Sequence, residues 1–521
     1  MKKLIIKISC LSILIVSTLS SCKKGFDKVN TDPIGVANVS ANQLLAPALV
    51  NVLSANMVRN RNFNNELMQV TVDISDADGK VFRYDYRRTF SDYLWNNWYP
   101  QITNFKDMYK IASSPESLNK SYQGIALISQ VWTYSLLTDT YGDIPYFEAN
   151  LGKDGIIEPA YDRQKDIYLD MFAKLEEANT SLSIGTTITA TGDPIFKGDI
   201  AKWRKFGNSL YLRLLLRVSG KSETAAQVTS KIREMIDTNP GQYPIMATND
   251  DTAKILWNGT NSSTSVYSSP FMVNVRPVDF RTPSITSFFI DNIVGWNYPL
   301  INPVLGKGNV PRWGIARGTI GDYEGVPSGY PQDQSFVRQS YFYSDPAGTG
   351  YSLQTDPYTG IIMNCAEVNF ILAEAAAKGW ISGSAETYYN KGIYYGINYW
   401  LPSWAPAGIS DNTFLTYVTN PNVRWNASLA LDAATGDSKM ERIHLQKYYG
   451  LFLVDMQQWF ENRRTGHPIL PKGAGLLNNK VMPARMAYPV ISQSTNPTNY
   501  KNVIAIQGAD EIYTQVWWQK P

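Results

Sequence analysis

Two consecutive segments, AEVNFILAEAAAKGW and AETYYNKGIYYGINYW, constrain the fold of this chain more than any other stretch. In the first, Val368, Ile371, Leu372 and Ala375 recur at three- and four-residue spacing and form one helix face, with Gly379 as a C-terminal stop. In the second, Tyr388, Gly392, Tyr395 and Tyr399 share a side, and Gly392 and Gly396 permit a neighbouring helix to come close. Two helices joined by a short turn, with small residues at the contact, read as a tetratricopeptide-type unit. Such a unit buries its apolar face only by stacking on others.

Comparable helices are expected at YQGIALISQVWTYSLLTDTY, RQKDIYLDMFAKLEEANTSL, AKWRKFGNSLYLRLLLRVSG, TAAQVTSKIREMID and RIHLQKYYGLFLVDMQQWFENRR. Between Ile255 and about Gly360 the chain turns to Gly, Pro, Asn, Ser and aromatics, which disfavours continuous helix and favours loops with short strands. The expected fold is mainly α: helix pairs carrying one large loop-rich excursion, about 255–360, with few short strands.

The N-terminus reads differently. Lys2, Lys3 and Lys7 precede an apolar run from Ile8 to Leu19 and small Ser20 and Ser21, the pattern of a secretory signal peptide over 1–21. The run is shorter than the roughly 20 residues a spanning helix needs. Leu19-Ser20-Ser21-Cys22 resembles a bacterial lipobox, which makes Cys22 the expected lipidation site and membrane anchor. Residues 22–40 are polar and turn-forming and read as a tether, and 41–521 as one globular unit. Of the 3 cysteines, Cys10 leaves with the signal and a lipidated Cys22 leaves Cys365 unpaired, so a large core must replace disulfides.

Charge narrows the function classes. With 48 Lys+Arg against 45 Asp+Glu, and three lysines in the signal, the mature chain is close to neutral, so no nucleic-acid partner is expected. Catalysis finds little support. The only two histidines, His444 and His467, lie in a helix and at a helix end, away from any Gly-x-Ser-x-Gly or His-Glu-x-x-His pattern, and read as structural. Cys365 reads as a small buried residue, and the local carboxylate pair Asp139 and Asp143 as helix-end and turn chemistry. DISDADGKVFRYD fails as a calcium loop because Ile74 stands at its first ligand position, although Asp76 and Asp78 remain possible ligand contacts. No cofactor and no metal are expected.

The chain is instead rich in aromatics, with 14 Trp, 32 Tyr and 19 Phe. A sugar ring stacks its C–H face on Trp or Tyr and needs amide, carboxylate or guanidinium partners for its hydroxyls. KVFRYDYRRTFSDYLWNNWY offers both, with Arg83, Tyr84, Tyr86, Trp95, Asn96, Asn97 and Trp98. VPRWGIARGTIGDYEGVPSGYPQD, in the excursion, adds Trp313, Tyr323 and Tyr330 among glycines and prolines.

The chain resembles the SusD/RagB-like nutrient-binding outer-membrane lipoproteins along nearly its whole length. The resemblance is carried by CKKGFDKVNTDPIG, WNNWYPQITNFKDMY, TDTYGDIPYFEA, DIAKWRKFGNSLYLRLLLRVS, FRTPSITSFFIDN, AEVNFILAEAAAKGW, QWFENRRTGHPIL, VMPARMAYPVISQSTNPTNY and the terminal VWWQKP. The opening and PARMAYP look most like the shorter SusD-like branch. The resemblance implies a non-enzymatic, surface-exposed outer-membrane lipoprotein. It would bind an oligomeric nutrient, glycan or peptide, and deliver it to a TonB-dependent β-barrel transporter of the SusC-like kind. In glycan-binding relatives the early helical region supplies an aromatic and an amide to the sugar site, which carries over to Trp95, Asn96 and Trp98. A lipid-anchored glycan hydrolase and a pure docking scaffold are the alternatives from other classes.

Overall fold

The computed structural model describes residues 39–75, 81–258, 267–345 and 348–520. The signal peptide, Cys22 and most of the tether lie outside them, as do Asp76 and Asp78. Ala41–Pro521 form one compact unit.

The first half is a run of helices in sequence-neighbour contact: α1 (Ala41–Arg59), α2 (Thr89–Ser113), α3 (Lys120–Tyr141), α4 (Gln164–Ser183) and α5 (Ile200–Arg217), each of α2 to α5 packing on its predecessor. Local chemistry sets their ends. The Asn119 side chain accepts from Tyr122 N at 3.0 Å to start α3, and Asp199 accepts from Lys202 N at 3.1 Å to start α5. α3 is buried from Ser121 to Tyr141, so its polar residues are tied internally, as in Thr133 Oγ1 donating to Ser129 O at 2.9 Å. α6 (Ala225–Arg233) follows and widens into a π-turn at Glu234–Thr238.

Between the helical halves lies the excursion. Among the described residues it contains short antiparallel pairs: β1 (Thr71–Val72) with β3 (Ser284–Ile285), β2 (Ala253–Ile255) with β6 (Gly360–Met363), and β4 (Ile315–Ala316) with β5 (Tyr341–Phe342). β1 comes from the segment before α2, so the excursion is stitched to the early part of the chain. α7 (Ser287–Gly295), capped by Thr286 accepting from Phe289 N at 3.1 Å, turns its buried Phe289, Ile290 and Ile293 into the core. The mainly helical fold with few short strands is as expected.

The second half holds α8 (Cys365–Ala377) and α9 (Ala385–Trp400), packed on each other and on α10 (Lys439–Gly450). α8 is buried throughout Cys365–Ala375 rather than on the one expected face, and Gly379 stands just beyond its end in the left-handed region with φ 72°. α9 buries Tyr389, Gly392, Ile393, Ile397 and Tyr399, so its inner face is rotated from the one expected through Tyr388 and Tyr395. The expected continuous helix over RIHLQKYYGLFLVDMQQWFENRR is also corrected. It breaks after Gly450 and resumes as α11 (Gln457–Thr465), with Leu453 and Asp455 at positive φ in the turn. Asp455 is drawn out of helical geometry by accepting from Asn56 Nδ2 at 2.6 Å and Trp132 Nε1 at 3.1 Å, bonds a straight helix would not reach. Among the described residues no helix is long and apolar enough to cross a membrane.

Candidate functional site

The expected site residues separate into those the core absorbs and those left at the surface. Trp98 is fully buried: Leu94, Trp98, Ile102 and Phe105 form the inner face of α2, and Trp98 Nε1 donates to Asn56 Oδ1 at 2.8 Å. Trp313 is fully buried as well, with its ring 5.0 Å from Phe452, 5.4 Å from Tyr298 and 5.9 Å from Phe289. Tyr84 is buried in a left-handed conformation with its hydroxyl enclosed, and Tyr330 packs on Phe82 and Phe336 at 5.0 and 4.8 Å. All four of these expected ligand contacts are buried, with their rings packed among other side chains.

Of the remainder, Asn96 is exposed on α2, and Trp95 is half-buried in a ring cluster with Tyr99, Tyr141, Tyr161 and Tyr488. Arg83 stands 5.8 Å over the Tyr330 ring, so the early segment and the excursion do meet. Tyr323 is half-buried, its hydroxyl donating to Ile301 O at 3.1 Å, and the Arg317 guanidinium lies 5.3 Å over its ring.

Two open hollows lie on the excursion, on either side of a tight turn at Lys307–Val310. Lys307 and Val310 exchange both backbone hydrogen bonds at 3.0 Å, and the central Gly308 and Asn309 have φ of 58° and 60°. That is the geometry for which Gly and Asn are favoured, because both tolerate the left-handed region. The first hollow, about 390 Å³, is lined by Arg312, Asp356, Tyr351, Tyr358 and Trp400. The second, about 540 Å³, is lined by Tyr323, Tyr343, Arg317 and apolar residues that include Val304 and Pro311.

The first hollow combines ring faces with a fixed ion pair. Arg312 is buried, ion-paired with Asp356, and donates Nε to Trp400 O at 2.9 Å. Its guanidinium lies 4.5 Å over Tyr351, 5.0 Å over Trp400 and 5.8 Å over Tyr358. Asp356 also accepts from Tyr358 N at 2.9 Å, capping the turn that holds the exposed Tyr358 ring outward, while Tyr399 Oη donates to Tyr358 O at 2.7 Å. Burial pushes the Tyr399 hydroxyl well above its usual range, so it remains a neutral donor. The exposed Tyr358 ring and the half-buried Tyr351 ring, held beside a charged pair, can bind a polyol through C–H/π contact and directed hydrogen bonds, while the buried Trp400 backs the hollow. Sequence reasoning missed Tyr351, Tyr358 and Trp400. Its available signal was Asp356-Pro357-Tyr358, a capped turn that projects an aromatic.

The titratable groups singled out in the sequence make structural contacts. Asp139 is buried and accepts from Tyr168 Oη at 2.5 Å and Trp518 Nε1 at 2.9 Å, and Asp143 accepts from Gln164 N at 2.8 Å at the start of α4. His467 sits between Glu441 and Asp432 at 2.7 and 2.8 Å, which raise its pKa against the opposing effect of burial. Glu374, His444 and Glu461 are clustered closely enough to ligate an ion. Arg464, however, spans that cluster, donating to Glu374 at 2.6 Å and to Glu461 at 2.8 Å, so a guanidinium already supplies the positive charge. Cys365 is buried, and burial pushes its thiol up, away from thiolate chemistry.

A stack of helix pairs that carries an aromatic, loop-built surface defines the class of a binding scaffold. The family model described as SusD-like, "Starch-binding associating with outer membrane", matches residues 33–489, and the chain belongs to that family. Among solved structures, a chitin-binding protein aligns with TM-score 0.72 at 24% identity, covering 92% of this chain and 100% of that one. A chitin-binding SusD homologue from Flavobacterium johnsoniae aligns with TM-score 0.71 at 21% identity, covering 92% and 98%. A SusD homologue from Parabacteroides distasonis aligns with TM-score 0.73 at 20% identity, covering 92% and 98%. No curated protein sequence matches the chain.

Proposed function

We propose that this protein captures an oligosaccharide at the cell surface without cleaving it and passes it to a TonB-dependent β-barrel transporter. Cys22 would carry the lipid that holds it on the outer membrane, where acyl chains contribute about 0.8 kcal/mol per buried CH₂. The observation that carries the reading is the first hollow of the excursion, where the exposed Tyr358 ring stands beside Tyr351, Trp400 and the Arg312–Asp356 pair. Family membership and the two chitin-binding structural relatives favour a glycan over a peptide as the ligand. The second hollow, with Tyr323 and Tyr343, extends the same surface and suits a further sugar unit.

Native mass spectrometry with chito-, malto- and peptide oligomers tests this directly. An intact bound oligosaccharide is expected, and Tyr358→Ala should weaken it roughly tenfold, the scale of one lost stacking contact of 1–1.5 kcal/mol, with the melting temperature unchanged. Cleaved products would make the protein an enzyme, and a bound peptide alone would reassign the ligand.

A further inference from the structure

A separate hollow of about 790 Å³ is built mainly by residues 462–484 and 513–520, none of which lines either hollow of the excursion. Its lining carries Arg463, Lys472, Lys480 and Lys520 and no acidic side chain. Elsewhere in this molecule, buried cations sit against carboxylates, as Lys447 does at 2.7 Å from Glu461 and Arg213 at 2.6 Å from Glu367. Here Lys472 and Lys480 are exposed, Asp139 and Asp143 act on Arg463 and Lys520 from outside the lining, and the hydrogen bonds of the four cations within the described residues end on backbone carbonyls. Lys472 Nζ donates to Lys480 O at 2.9 Å and Lys480 Nζ to Lys472 O at 3.4 Å. Lys520 Nζ donates to Gln507 O at 2.8 Å, and Arg463 to the carbonyls of Ala484 and Asp139.

A carbonyl orients an ammonium without neutralising it, and it engages one of the three N–H donors, leaving the others for a ligand. The frame is fixed as well as charged. Asn478, Asn479 and Lys480 are successive left-handed residues, with φ of 50°, 51° and 65°, and the reciprocal Lys472–Lys480 bonds clasp the ends of that loop. Backbone held in a sparsely populated region persists only where its surroundings over-determine it. Gln515 and Gln519 add amides able to bond hydroxyls. The volume exceeds what a lone inorganic anion needs and falls in the range of small-molecule sites.

We propose that this hollow is a second saccharide site, selective for oligosaccharides that bear carboxylate or sulfate groups, with Lys472 and Lys480 as the charge-reading residues. It is independent of the excursion hollows, so it stands or falls separately from the capture of neutral glycans there.

Isothermal titration of the full chain in detergent with tetragalacturonate tests it, using neutral maltotetraose and inorganic sulfate as comparison ligands. Wild type is expected to bind tetragalacturonate with an affinity that falls several-fold as NaCl rises from about 0.05 to 0.5 M, over which the Debye length shrinks severalfold. The double variant Lys472→Gln/Lys480→Asn keeps a left-handed-tolerant residue at position 480 and should bind at least tenfold more weakly, whereas Tyr358→Ala should leave this binding unchanged. Each single lysine variant should lose affinity in the same direction, which keeps the test valid if the double variant misfolds. Absence of tetragalacturonate binding, equal affinity in the lysine variants, or an equal affinity for inorganic sulfate would overturn the proposal.

Discussion

At the scale of single residues, the same side-chain type serves opposite ends according to what surrounds it. Trp313 and Tyr358 both belong to the excursion, yet Trp313 is enclosed by Phe289, Tyr298, Trp400 and Phe452 while Tyr358 is 38% exposed. Trp313→Ala therefore removes a ring from a closed cluster. The expected loss is about 3–5 kcal/mol, the range for large aromatic truncations in cores, measured by urea unfolding, with ligand affinity of the folded fraction unchanged. A variant of native stability with weakened binding would return Trp313 to the ligand site. The sequence shows Trp95 and Trp98 three apart on one helix, but not which of them the next helix covers. Trp98 meets Asn56 on α1, a partner 42 positions upstream, and no local pattern reveals that contact. Arg83 and Tyr330 were legible as candidates from composition. Their juxtaposition depends on β1 pairing with β3 across some 200 residues, which only the folded chain supplies.

At the scale of elements, the helix pair that most constrains the sequence also contains a clean test of packing. A Cβ at Gly392 would lie 2.6 Å from Phe370 Cε1 and 2.7 Å from Cζ, inside the contact between α8 and α9. At Gly396 the nearest atom is Ala366 Cβ at 3.7 Å, an ordinary contact. Gly392→Ala should then destabilise by about 1–3 kcal/mol through overpacking. Gly396→Ala should stabilise by up to about 1 kcal/mol, since Ala is the better helix former. Thermal melts of the two variants should move in opposite directions, and a shared sign would mean that the interface relaxes around either methyl. Sequence periodicity located both glycines on the helix but could not separate them, because the difference lies in where Phe370 of the partner points. The break between α10 and α11 escaped for a related reason. Gly450-Leu451-Phe452-Leu453-Val454 is apolar at every spacing, so its periodicity is compatible with helix, while the Asp455 side chain engages α1 and α3 instead.

At the scale of the whole molecule, the helical halves are joined by buried charge rather than by apolar contact alone. Arg217 of α5 reaches Glu461 of α11 at 2.9 Å and Arg213 of α5 grips Glu367 of α8 with two bonds of 2.6 Å, while within the second half Arg464 of α11 ties Glu374 of α8 to Glu461. Burial by itself would raise the Glu374 and Glu461 carboxyls, but the surrounding cations, Arg464 foremost, outweigh it and hold both well below the usual range. Arg464→Met removes the shared cation from two buried carboxylates and should cost about 3–5 kcal/mol at neutral pH, as breaking a buried pair does. The deficit, read by urea unfolding, should shrink as the pH falls: protonation relieves the stranded carboxylates of the variant above the unfolded glutamate value of 4.5, and below it wild type loses the stability its low-pKa carboxylates contribute.

Asp455 has the opposite sign. Burial is the dominant effect on its carboxyl and raises it to about 7, even with Arg213, Trp132 and Asn56 favouring the charged form. Between the unfolded value of 3.8 and about 7 the native state holds a proton that the unfolded chain has released, so wild type loses stability as pH rises through that window. Asp455→Asn cannot ionise, and Asn tolerates the positive φ of 41° at this position. Its lost acceptance from Trp132 Nε1 is an offset that does not change with pH. Urea unfolding of wild type and variant at pH 5 and pH 8 should therefore show the variant gaining relative to wild type at the higher pH. A difference independent of pH would mean that Asp455 stays ionised throughout, and that Arg213 outweighs burial at the junction where the α10–α11 turn meets α1 and α3.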